Sequence, residues 1–279
     1  MLPPVAGRFV AGEIPATALD HARARNEEGL KVILNLLGEH HGSRAAADAD
    51  AVAYLDLLRD LEGSGLDACI SVKPTQLGLD VDGEAFRENY RRVVAAAAER
   101  DGFVWCDMED ASTTDATLDA VEALAPSFPG RCGVCVQANL RRTRADVERL
   151  AGLPGKVRLV KGAYAEPAGI AYTDREAIDE AYRENLELLF QDHDGGIGVA
   201  THDPAMIKHA VGLSERYDAS FEFQMLMGVR ERAQRDLAAQ GYEVWQYAPY
   251  GRAWLAYLYR RLRERRENLA FVARALVGD

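Results

Sequence analysis

No stretch of this chain approaches the roughly 20 consecutive apolar residues needed to span a bilayer. Its opening, MLPPVAGRFVAGE, also lacks the charged-then-apolar order of a secretory signal. A soluble protein is expected, with room only for a transient contact at a membrane surface. Basic residues are in deficit as well: 33 Lys and Arg face 44 Asp and Glu, for a formal charge of -11 and a pI near 5.1. Phosphate binding needs a concentrated basic surface, so a nucleic-acid duplex is not an expected partner, although a local basic pocket is compatible with the balance. Cysteine is scarce, and Cys69, Cys106, Cys132 and Cys135 lie in apolar runs rather than in pairs between loops. The C-x-x-C at 132–135 has neither a second copy nor histidines beside it, which reads as reduced thiols of a cytosolic protein. Metal binding is not expected either: His202 and Asp203 lack a second histidine at ligand spacing, and His40 and His41 are neighbours pointing different ways.

Two further absences bear on architecture. There is no proline- or glycine-rich linker or shift of composition along the 279 residues, so residues 1–279 read as a single domain. No GxGxxG follows the first apolar run, which ends GEHHG, and an open dinucleotide-binding sheet would be expected to carry one. What is present is 48% hydrophobic residues arranged in a repeating pattern: a short apolar run, a polar loop, then a longer stretch at helical spacing. The runs are KVILNLLGE (31–39), DACISVKP (67–74), FVWCDMED (103–110), CGVCVQAN (132–139), KVRLVKGAY (156–164), IGVATHD (197–203), FEFQML (221–226) and YEVWQYAPYG (242–251). Eight strands alternating with helices predict an α/β fold, a closed (βα)8 TIM-type parallel barrel. Residues 1–30 read as a short lead-in helix that closes the bottom of the barrel. Asp203-Pro204 predicts a capped helix start with proline at the first position.

A parallel barrel gathers its chemistry where the strands end, and here those ends are polar. They offer Asn35 and Glu39; Lys73; Asp107, Glu109 and Asp110; Gln137 and Asn139; Arg158, Lys161 and Tyr164; Thr201, His202 and Asp203; Glu222 and Gln224; and Gln246, Tyr247 and Tyr250. A lone charged residue at a strand end is ordinarily just entering solvent, the reading taken for Glu39, Glu109, Asp110 and Asp203. Lys73, Arg158, Lys161 and Gln137 follow apolar residues and need a buried partner or a ligand. Cations converging on one mouth of an acidic protein suggest an anionic ligand. That pattern suits a lysine Schiff-base aldolase or lyase, a cofactor enzyme whose cations hold phosphates or tune a ring system, or a structural ion network.

The last stretch, YAPYGRAWLAYLYRRLRE (247–264), is amphipathic: at 100° per residue Leu255, Leu258, Tyr259 and Leu262 share one face, and Tyr257, Arg260, Arg261 and Glu264 the other. Spacing alone favours a solvated polar face. The same stripe would serve a lid whose polar side looks down into the barrel mouth.

SVKPTQLGL, DMED, VQANL, RLVKGAY, ATHD, FEFQ, YAPYG and YLYRRLRE, in this order, resemble the bacterial monofunctional proline dehydrogenases and, more loosely, the proline dehydrogenase domain of bifunctional proline-utilisation proteins. The resemblance implies an FAD-dependent barrel, its last helix over the C-terminal mouth, that oxidises L-proline to 1-pyrroline-5-carboxylate and passes electrons to a quinone. It implies catalytic roles for Asp107 and Arg158 and places Lys73, Leu226, Tyr247, Tyr257, Arg260 and Arg261 on the substrate. Met108, Gln137, Arg158, Lys161, Gly162, Ala163, Thr201, His202 and Glu264 would contact FAD, and Glu39 would gate the site by pairing with the first arginine. Asn139 stands where such proteins usually carry an aromatic residue.

Overall fold

In the computed structural model, which describes residues 3 and 6–264 (side chains of 260–264 excepted), the eight expected strands occur in order and pair in parallel into a closed barrel. They are β1 (Lys31–Leu36), β2 (Ala68–Val72), β3 (Val104–Cys106), β4 (Cys132–Gln137), β5 (Lys156–Val160), β6 (Ile197–Ala200), β7 (Phe221–Leu226) and β8 (Val244–Tyr250). Most are shorter than their apolar runs, because the chain leaves the ladder where the functional loop begins. The run 103–110 pairs only as Val104–Cys106, after which Asp107 N–H still reaches Val72 O at 2.9 Å. Asp107, Met108, Lys161, Gly162, Ala163, Thr201 and His202 therefore sit on the loops just past the C-terminal ends.

Helices α2 (Arg44–Leu61), α3 (Gly83–Ala98), α4 (Thr114–Leu124), α5 (Thr143–Leu150), α6 (Arg175–Asp192), α7 (Pro204–Ser214) and α8 (Glu231–Ala239) follow β1 to β7 in turn. The sequence marks several starts: Ser43, Asp82, Asp174 and Asp203 each accept a backbone N–H from the first turn, and Pro204 occupies the first position of α7 as expected. Outward-facing strand residues such as Val32, Leu34, Ile70, Val134 and Val199 pack with these helices in one core.

The lead-in helix α1 (Pro15–Glu27) lies along the barrel wall rather than across the bottom. Its Ala18 and Ala22 are fully buried, and it packs on β1 and β8. His21 Nε2 meets Gln246 Oε1 at 2.7 Å, and Glu28, just past the helix, pairs with Arg235 of α8 at 2.7 Å. Gln246 thus points outward, correcting its expected place at the mouth: Tyr247 beside it points inward, and a strand alternates its faces. With α1 in the wall position between α8 and α2, α9 (Trp254–Glu264) lies over the mouth. There Tyr257, only 9% exposed, packs with Val10 and Leu37, while Leu255 and Tyr259 are 67% and 68% exposed. The solvated orientation that spacing favoured does not hold at Tyr257, which faces down into the mouth. The mouth offers a residue that is half aromatic and half polar both a wall and partners, which solvent does not.

Inside the barrel the pairing registers stack side chains in layers drawn from alternate strands. Ile33, Trp105, Arg158 and Gln224 form one such layer. Beneath it come Cys69, Gly133, Gly198 and Trp245, and lower still Phe103, Lys156 and Glu222. The glycines are spatial necessities: a Cβ on Gly133 would stand 2.7 Å from the Trp105 ring, and one on Gly198 2.8 Å from Gln224 Nε2. Glu222 therefore belongs near the barrel floor with Lys156, not at the mouth. Its even spacing from Gln224 preserves the inward direction, but depth in the barrel is set by shear, which sequence does not display.

Candidate active site

The C-terminal mouth holds a cavity of about 500 Å³ roofed by Tyr257. Every predicted site residue whose side chain is described lines it: Glu39, Lys73, Asp107 and Met108 on one side, Gln137, Arg158, Lys161, Gly162 and Ala163 on another, and Thr201, His202, Leu226, Tyr247 and Tyr257 around the rest. The Arg260, Arg261 and Glu264 side chains lie outside the described residues.

Asp107 is the centre of the polar network. Its Oδ1 accepts from Ser71 Oγ at 2.5 Å and Arg158 Nη1 at 2.6 Å; its Oδ2 accepts from Tyr247 Oη at 2.6 Å, with Lys73 Nζ 3.8 Å away. Burial by itself would raise this carboxyl, but the charges of Arg158 and Lys73 and the hydrogen bonds from Ser71 and Tyr247 outweigh it and hold the group below the ordinary carboxylate range. The same negative charge, after burial, pushes the Tyr247 phenol well up, so Tyr247 stays a neutral donor. Arg158 is 4% exposed and locked on every side. Its Nε donates to Gln224 Oε1, and its Cζ lies 4.4 Å from the Trp105 ring centroid and 5.6 Å from that of Tyr247. Burial opposes its charge, yet Asp107 more than compensates and its pKa is raised. Its buried Nη2 has no hydrogen-bond partner among the described residues.

Lys73 donates to Asn35 Oδ1 at 3.1 Å, and Asn35 is itself fixed through Ser71 O at 2.9 Å. Lys161 is ion-paired to Asp179 and, at 2.7 Å, to Asp203. The expected convergence of cations is real, but each is paired with carboxylates, so the mouth is not a basic patch. That pairing also argues against a Schiff-base lysine, which must shed its proton in an apolar setting. Leu226 N–H donates to His202 Nε2 at 3.1 Å, which places the imidazole proton on Nδ1. Glu109, read as a solvent-facing strand end, is 1% exposed; it accepts from Thr75 N–H and Oγ1 at 2.8 and 2.7 Å. Burial raises its pKa against those bonds. It braces the loop after β2, a role invisible without knowing that Thr75 turns back toward it.

Sequence reasoning missed Ser71, Trp105 and the glycine beneath it, Gly133. Strict alternation along β2 and β3 would have put Ser71 on the same inward face as Lys73, and Trp105 on that of Asp107. Cys132 and Cys135, by contrast, are both buried and free, on opposite faces of β4, and form no dithiol.

A parallel (βα)8 barrel with a buried, ion-paired cavity at the ends of its strands and its last helix as roof has the build of a barrel enzyme. The sequence matches the proline dehydrogenase family profile over residues 18–274. The chain belongs to the proline dehydrogenase family. It is 37% identical to the proline dehydrogenase of Deinococcus radiodurans and 34% identical to proline dehydrogenase 1 of Bacillus subtilis strain 168, in each case over 98% of this chain and 90% of that protein. Its fold is similar to the crystal structure of proline utilization A (PutA) from Bdellovibrio bacteriovorus inactivated by N-propargylglycine. The TM-score is 0.85 at 27% identity, over 95% of this chain; the match spans 33% of that much longer protein.

Proposed function

We propose that the cavity holds FAD and that the chain oxidises L-proline to 1-pyrroline-5-carboxylate, passing the electrons to a quinone. The observation that carries this reading is Arg158: a guanidinium in the cavity wall fixed by Asp107, Gln224 and Trp105, whose buried Nη2 has no hydrogen-bond partner among the described residues. A native protein rarely leaves such a group unmatched, so an acceptor is expected there.

The remaining residues fit a flavin in the same way. Donors at Lys161, Thr201 and His202 Nδ1 suit a ring system rich in acceptor atoms. Gly162, at φ 112°, lines the cavity with backbone packed so closely on Asn139 that a Cβ there would stand 2.1 Å from the Asn139 Oδ1. Met108, Gln137 and Ala163 complete the lining, with Glu264 assigned to the flavin by resemblance. Bound there, FAD would supply the two-electron acceptor that no side chain offers.

The protein's own groups bind and orient. Tyr247, Tyr257 and Leu226 form walls for a small ring, and Tyr257 helps keep water out. Lys73 offers charge beside the carboxylate site, where Arg260 and Arg261 would supply a bidentate grip and Glu39 would gate entry by pairing with the first of them. Asp107 is ionised, and three donors already occupy its oxygens. It orients Lys73, Arg158 and Tyr247; it is not the base that takes the proton of the substrate amine.

No helix among the described residues is long and apolar enough to cross a membrane, so a quinone in a bilayer would be reached by transient surface contact. The purified protein is expected to be yellow, or to become so with FAD, and anaerobic L-proline should bleach the flavin band. Protein that stays colourless after incubation with FAD overturns the reading. Arg260→Met is expected to retain FAD but bind proline more weakly by about 2 kcal/mol, roughly thirtyfold in Kd by spectral titration. Unchanged proline affinity would remove Arg260 from the carboxylate site.

A further inference from the structure

Gln224 links Arg158 to the barrel floor, and the direction of that link matters. An amide has a donor end and an acceptor end of nearly equal shape, and either could face Arg158. Here Gln224 Oε1 accepts from Arg158 Nε while Gln224 Nε2 donates to Glu222 Oε1 at 2.6 Å. Glu222 is 3% exposed and its other oxygen, Oε2, accepts from Lys156 Nζ at 2.5 Å. A carboxylate only accepts, so it admits the nitrogen end of Gln224 and no other. Gly198 makes the link possible, because any side chain there would fill the space Gln224 Nε2 occupies on its way to the layer below.

We propose that Glu222 is a positioning residue for Arg158: by fixing the sense of the Gln224 amide, it holds the guanidinium in its place in the cavity wall. The proposal rests on the flavin reading for its effect on chemistry, but the relay is a property of the chain itself. A Glu222→Gln substitution shows the logic. The Lys156 ammonium, bearing full charge, takes the one acceptor of the new amide, so its NH2 faces Gln224. Gln224 must then turn over and set its own NH2 against Arg158 Nε–H, and two donors cannot share that contact. Arg158 gives way, and Nη2 leaves its position.

The test uses the full-length, flavin-loaded protein. Glu222→Gln is expected to move the visible flavin band and to change the oxidised-to-reduced ratio against a reference dye at least tenfold, about 30 mV for a two-electron couple. Adding Lys156→Met frees the oxygen of the introduced amide for Gln224 and is expected to bring both readouts back toward wild type. A residue that merely supports the floor would not be rescued by losing its own ion-pair partner. In a Gln224→Met background, which keeps side-chain volume and stands in if Glu222→Gln alone fails to fold, Glu222→Gln is expected to add nothing to either readout. A flavin-loaded Glu222→Gln with unchanged band and dye equilibrium overturns the relay, as does an equal shift in the Gln224→Met background. The 15N–1H resonance of Arg158 Nε gives a reading that needs no flavin. It should shift in Glu222→Gln protein with or without FAD, and a resonance that stays in place overturns the relay. Failure of the wild-type protein to take up FAD counts instead against the flavin reading alone.

Discussion

Asp107→Ala is expected to lower the stability of the protein by about 3–5 kcal/mol, the usual cost of stripping one partner from a buried ion pair. Three features put this position at the costly end. Arg158 is almost wholly buried and, among the described residues, has no other carboxylate against it in the hydrogen-bond network. Ser71 and Tyr247 lose their acceptor in the same change. Water entering the alanine cavity would solvate a guanidinium poorly, since Trp105 and Tyr247 cover its faces. The effect has a pH signature. The folded carboxyl titrates below its ordinary value, so its stabilising contribution is complete above pH about 4 and fades as the pH falls through the lowered folded value. Denaturant unfolding of the two proteins should therefore differ most near neutrality and converge in acid. A difference below about 1 kcal/mol at pH 7 would mean that Arg158 finds another counter-charge.

The second large effect is expected at Trp105. Trp105→Ala should cost about 3–5 kcal/mol, because the ring is 1% exposed and fills the barrel's middle layer over Gly133. Ile33 and Cys69 pack on it, the Phe103 ring meets it edge-on at 5.1 Å, and Arg158 lies across its face. Neighbours anchored in closed strands cannot collapse into the void, so the cavity term stays high. Trp105→Phe should be markedly milder in stability, yet should still perturb the flavin spectrum, since a smaller ring leaves Arg158 room to tilt. Equal stability losses in the two variants would show that the indole's volume is not what the layer needs.

Much of this architecture is legible in the sequence, for reasons that particular residues make plain. Fully buried parallel strands read as apolar runs, and eight of them alternating with helical spacing have few closed solutions, so the barrel and its strand order follow. The polar lining of the mouth follows because Lys73, Gln137 and Lys161 are polar just where an apolar run ends, and Arg158 interrupts one. Direction and depth are harder. Gln246 stands one residue from Tyr247 and faces the opposite way; Glu222 shares the inward face of Gln224 but lies a layer or more below it. Glu109 looks like any carboxylate entering water until Thr75 is known to approach it. The last helix is the sharpest case, since its spacing pairs Leu255 and Tyr259 with a core, and only the barrel mouth explains why they face outward while Tyr257 is covered.

The position of α1 bears on how the chain reaches this state. Strand β8 must find β1 across about 200 residues, a loop closure whose entropy makes the seam the slowest contact to form. The helix that lines that seam is made before either of its strands, and it is waiting when β8 emerges. The roof helix comes after. Barrel closure thus needs nothing from the roof, and the part of the molecule that covers the site is added to an already completed wall, so lifting it would not unzip the seam.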